Sequence, residues 1–76
     1  MATYKFEQFS GKIINPTIDI KAVNDNMQGE CTVDIILKND SAERGVTLTG
    51  FTYEDDTWET VEVQAWIPVK LQEYEV

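Results

Sequence analysis

Glu54, Asp55 and Asp56 stand together in the chain and form its one run of three carboxylates. Hard cations take oxygen ligands of this kind, but a calcium loop spaces its ligands at alternate positions around a fixed glycine. Here the acids are adjacent and no glycine follows in the loop, so no metal site is expected. The cluster reads as a solvated turn ahead of a helix. A glycosidase pair would need a substrate cleft between two carboxylates, and 76 residues leave little chain to build one. Histidine is absent, which removes histidine-based triads, imidazole metal ligands and the commonest general base near neutral pH. Cys31 falls at an inward position of an alternating run with no histidine to activate it, and reads as a core residue. Ser10 and Ser41 lie in turn sequences and lack a base. The segment GVTLTG (45–50) lacks the lysine of a phosphate-binding loop. The expectation is a protein that is not an enzyme and takes no cofactor.

The elements that would carry any site are legible from alternation and turn residues. Tyr4 to Phe9 (YKFEQF) predicts a short first strand, and Ser10-Gly11 a turn. Ile13-Ile14 runs into Asn15-Pro16, an edge or a bend, since proline cannot donate to a ladder. Thr17 to Val23 alternates, with Ile18, Ile20 and Ala22 on one face and Asp19 and Lys21 on the other. Asn24 to Gly29 is a turn cluster. Glu30 to Lys38 (ECTVDIILK) is the strongest strand, with Cys31, Val33, Ile35 and Leu37 inward. A polar loop, Asn39 to Gly45, leads to a strand from Val46 to Tyr53. There Val46 and Leu48 share one face, Phe51 and Tyr53 the other, and Gly50 suggests a bulge. Three such strands joined by polar loops predict an antiparallel meander. Its apolar face needs a cover, and the C-terminal segment is the expected one.

That segment, VEVQAWIPVKLQEYEV (61–76), carries two periodicities. Its odd positions from Val61 to Leu71 are apolar, as in a strand, and Pro68 disfavours a helix interior by roughly 3 kcal/mol. Yet Val63, Trp66, Ile67, Leu71 and Tyr74 recur at helical spacing. No glycine interrupts residues 57–76, and a sixteen-residue strand would run about 53 Å with nothing long enough to pair with it. Asp56-Thr57-Trp58-Glu59 fits a capping box, with Thr60 a second possible N-cap. The reading adopted is a helix from about Glu59 to Tyr74, kinked or interrupted near Pro68. The fold class is therefore α+β: a small antiparallel meander of three to four strands covered by a C-terminal helix, in a single domain spanning 1–76. The alternative is all-β, with a final strand at 61–67. In the helix reading Val61, Ala65, Pro68, Val69 and Gln72 form a second, outward stripe. A helix apolar on two sides usually packs against something on each, so these five are the candidate partner-binding residues.

Charge narrows the partner. Residues 1–53 hold seven acids and five bases, net −2, whereas residues 54–76 hold seven acids and only Lys70, net −6. A field of that sign repels phosphate backbones and anionic lipid, so direct nucleic-acid and membrane binding are disfavoured. Glu54, Asp55, Asp56, Glu59, Glu62, Glu73 and Glu75 are the candidate acidic face. If continuous, it would suit a decoy that occupies a basic, nucleic-acid-binding surface. One cysteine allows no internal disulfide. The start, MATYKFEQFS, has no apolar signal core and no stretch approaches a membrane span. The expectation is a cytoplasmic protein.

The run VTLTGFTYEDDTWETVEVQAW with the closing LQEYEV, roughly the last 30 residues, resembles the ends of short orphan proteins of tailed phages. In that resemblance the Trp-to-Tyr stretch is helical, and Pro68 departs from it. The resemblance implies a phage-type origin, as a small virion component or a host-directed inhibitor acting in the host cell. It carries over no functional residues. Together these readings predict a small acidic interaction protein that binds a protein partner or itself through its C-terminal element.

Overall fold

Alternation in the middle of the chain builds one three-stranded antiparallel sheet in a computed structural model that describes residues 2–76. Strand β1 is Thr3–Tyr4, β2 Ile13–Ile14, β3 Thr17–Asp25, β4 Glu30–Lys38 and β5 Glu43–Thr52. Helix α1 is Thr60–Leu71, followed by one 3-10 turn, Gln72–Tyr74. The large sheet has the order β3-β4-β5, and β1 pairs with β2 in a separate small ribbon. The architecture is α+β, and the segment read in two ways is a helix rather than a strand at 61–67.

The turns follow from side chains that hydrogen-bond their own backbone. Asn26 Oδ1 accepts from the N–H groups of Gln28 and Glu30, and Asp25 Oδ1 accepts from that of Met27. Asn39 Oδ1 accepts from the N–H groups of Ser41 and Ala42. The second turn is shorter than expected: β5 begins at Glu43, and Glu43, Arg44 and Gly45 pair with Lys38, Leu37 and Ile36.

Two bulges overturn two facing assignments. In β3 the register slips between Ile20 and Ala22, so Ile20 pairs with Ile35 but Val23 with Val33. Inserting one residue reverses every side chain beyond it. Val23, not Ala22, therefore joins Ile18 and Ile20 against the core. In β5 the pairs Val33–Leu48 and Cys31–Phe51 leave two residues, Thr49 and Gly50, opposite Thr32. Gly50 has φ +98, a conformation natural to glycine. The extra residue turns Phe51 inward with Val46 and Leu48, where it is buried.

The core is Cys31, Val33, Ile35 and Leu37 of β4, Val46, Leu48 and Phe51 of β5, and Val63, Ile67 and Leu71 of α1, together with Phe6 and Ile13. Those last two come from the N-terminal segment, a contribution the pattern did not reveal. The expected strand over Tyr4–Phe9 stops at Tyr4. Phe9 N–H bonds back to the Phe6 carbonyl, and Lys5 Nζ donates to the carbonyls of Phe6 and Phe9, so the chain turns. This turn drops Phe6 into the core against Tyr74, ring centroids 4.7 Å apart. The ribbon is tied to the end of the chain by Lys5 N–H to the Tyr74 carbonyl and Val76 N–H to the Thr3 carbonyl.

Helix α1 starts one residue later than the expected Glu59, which is its N-cap. The Glu59 N–H donates to Glu62 Oε1 at 3.0 Å, and the Glu59 side chain accepts from the Glu62 backbone in return, so the capping box is Glu59 with Glu62 rather than Asp56 with Glu59. Glu62 in the first turn and Lys70 in the last complement the helix dipole. The helix passes through Pro68 without interruption. Pro68 is exposed, outside the buried seam of the helix. The backbone bond it removes is one to the Gln64 carbonyl.

Candidate functional site

Residues 63, 67 and 71 lie at successive i, i+4 steps, and this narrow seam is all that α1 buries completely. Trp66 is half-buried beside it, edge-on to Phe51 with centroids 5.4 Å apart. On the opposite side the sequence-derived stripe is wholly exposed: Val61, Ala65, Pro68, Val69 and Gln72 all face outward. Val61 is 64% and Val69 62% accessible, values of surface residues outside the core. The helix thus has one apolar face on the sheet and a second facing solvent.

Between these faces lies a feature the pattern did not expose. The seam of α1 sits over the β4–β5 side of the sheet, and β3 is left half-covered. An open groove of about 580 Å³ separates them, walled by Ile18, Ile20 and Val23 of β3 and by Ile67, Pro68 and Gln64 of α1. Trp58 closes one end, and Asp19 is the single charged residue in the lining. A volume of that order accommodates several large side chains. Pro68 belongs to both surfaces, so the groove and the outward stripe form one apolar band. The slip at Lys21, which no sequence signal marks, brings Val23 inward and extends the apolar wall of β3.

The seven acids do not form one face. Glu54, Asp55 and Asp56 lie in the loop after β5, next to Glu59 and Glu62 at the start of α1. Glu73 and Glu75 lie beyond its far end, separated by a twelve-residue helix, about 18 Å at 1.5 Å per residue. Glu73 is also paired with Lys70 at 3.2 Å. The division leaves one acidic end, beside Trp58 and the mouth of the groove.

Elsewhere the ionisable groups have structural surroundings. Burial, then the charges of Asp25 and Glu30, push the Cys31 thiol above its ordinary value, which keeps it protonated and unreactive. Asp34, on the outer face of the sheet, accepts from Thr47 Oγ1 at 2.6 Å and Asn24 Nδ2 at 3.1 Å. These bonds, with Lys21 nearby, hold its carboxyl below the usual range. The Tyr53 hydroxyl donates to Asp25 Oδ1 at 2.7 Å, which raises its pKa. Among the described residues no group of three or more metal-ligating side chains converges, and no helix is long and apolar enough to cross a membrane.

No protein-family model, curated protein or solved structure matches the chain.

Proposed function

We propose that this chain is a non-enzymatic interaction protein that binds another protein, or a second copy of itself, through its C-terminal element. The observation that carries the reading is the exposed apolar band formed by Val61, Ala65, Pro68 and Val69 together with the open groove beside them. A contiguous apolar surface rimmed by polar residues is the usual mark of a protein-binding site. The chain takes no cofactor in this role and touches neither nucleic acid nor membrane directly. Its origin is phage-type, and it works in the virion or in the host cell. The decoy alternative is less well supported, because its acids sit at two ends of α1 rather than on one face.

Photo-crosslinking residues placed at Val61 and Val69, compared with one at Thr49 on the outer sheet face, test the proposal in the cells where the chain is made. Adducts from the helix positions and none from Thr49 are expected, either to a partner or between copies. Absence of adducts from both helix positions would overturn it.

A further inference from the structure

We infer that the groove between β3 and α1 receives an amphipathic, basic helix of a partner protein, its apolar side chains seated against Ile18, Ile20 and Val23. This deepens the reading of the C-terminal element as a binding surface by naming what the surface takes. Two observations select that occupant over a strand or a second copy. First, β3 is an edge strand, but its bulge falls at Lys21, in the middle of the edge. Bulges and edge lysines are how natural sheets block strand addition. Side chains can enter the groove where a backbone cannot pair, and that is the helix-in-groove mode of recognition.

Second, charge selects the sign. Asp19, the lone charged residue in the lining, alternates away from Ile18 and Ile20 toward the outer face, so the sign is set by the end at Trp58, which adjoins Glu54, Asp55, Asp56 and Glu59. Lys21 is the one base in β3. A second copy would bring another net charge of −8 and be repelled, whereas lysines and arginines flanking an apolar stripe would be attracted.

The probe is a synthetic leucine–lysine peptide of about 18 residues, five helical turns, with leucines at helical spacing. Two controls accompany it: a leucine–glutamate peptide of the same pattern, and a scrambled leucine–lysine peptide of the same composition. Trp66→Phe leaves Trp58, at the groove end, as the single indole reporter. The expected result is saturable one-to-one binding of the patterned basic peptide, a change in Trp58 emission, and affinity that falls about tenfold or more with added salt. Gln64→Arg, at an exposed groove position, and Ile18→Lys should each weaken binding at least tenfold, with circular dichroism checking that each variant is folded. Thr49→Glu, on the outer sheet face, should leave it unchanged. Equal binding of the scrambled peptide, or indifference to Gln64→Arg in a folded variant, would overturn the inference. Loss of the Val61 and Val69 crosslinks with groove binding intact would instead remove the wider proposal about the stripe.

Discussion

Phe51 meets Trp66 edge-to-face, ring centroids 5.4 Å apart, only because the bulge at Thr49–Gly50 turns Phe51 toward the helix. Without the extra residue the period-2 alternation would send Phe51 to the outer face, and α1 would lose its aromatic contact with β5. Gly50 is therefore the backbone device that couples sheet to helix. At φ +98 a side chain is strained even though an added Cβ would meet nothing within 4 Å. Gly50→Ala should destabilise the fold by about 1–3 kcal/mol through backbone strain alone. Gly45→Ala, where φ is not in the positive region and the space is equally open, should cost less. Chemical denaturation of the two variants makes the comparison, and equal midpoints would remove the strain argument.

Ile35 lies at the centre of β4, 1% accessible, between Ile20 and Val46 in the register. Ile35→Ala should cost about 2–5 kcal/mol, the range for a buried large-to-small change. That is a large share of a small domain's stability. The measurement is the urea midpoint, and a midpoint unaffected by the change would show that the inward face is not packed as described.

Cys31 should resist alkylation in the folded protein, because its thiol is buried and its pKa is raised. Reaction should follow the population of opened molecules, so that its rate climbs along the unfolding curve. Fast labelling by iodoacetamide in native buffer would contradict the burial of β4.

The central strand, its inward residues and the helical cover were legible because each repeats a simple period. Glu30–Lys38 matched its predicted bounds, and Val63, Ile67 and Leu71 fell at the predicted helical spacing. Three features were hidden. The direction of Phe51 and Val23 depends on one inserted residue, and composition marks such an insertion only where a glycine stands, as at Gly50; at Lys21 nothing marks it. Phe6 reaches the core through a turn closed by Lys5, a side-chain-to-backbone bond that periodicity does not encode. The groove results from how far α1 sits toward β5, where Trp66 packs against Phe51, a tertiary offset that periodicity does not encode. The outward stripe could be read from spacing, but its continuity with the groove could not.

Thr47 and Asn24 clamp the carboxylate of Asp34 across the outer sheet face. Because these bonds favour the ionised form, the folded pKa is below the unfolded one. The stabilising contribution is then present above the unfolded value and is lost as pH falls through the folded value. Thr47→Val removes the hydrogen bond that lowers it most, and the Asp34 pKa should rise toward the ordinary carboxylate value. Carboxyl-carbon NMR titration reads this directly, and an unchanged titration would assign the shift to Asn24 and Lys21 instead.

Trp66 and Val69 stand three residues apart on α1 with opposite surroundings, so changing each should have opposite consequences. Trp66 is half-buried against Phe51. Trp66→Ala should lower stability by about 2–3 kcal/mol, less than the ~3–5 kcal/mol lost when a fully buried large aromatic is deleted. Val69 is 62% accessible and outside the core. Val69→Glu should change stability by no more than about 0.5 kcal/mol, as for exposed positions generally. It would nevertheless place a charge in any apolar contact the outward stripe makes, and burying that charge unpaired is costly. Association through the stripe should therefore fail while the monomer stays folded. Thermal unfolding separates the stability effects, and sedimentation with crosslinking at Val61 reads the association. A Val69→Glu chain that unfolds would place Val69 in the core. One that remains folded and retains its Val61 adducts would mean that the stripe is not the contact surface.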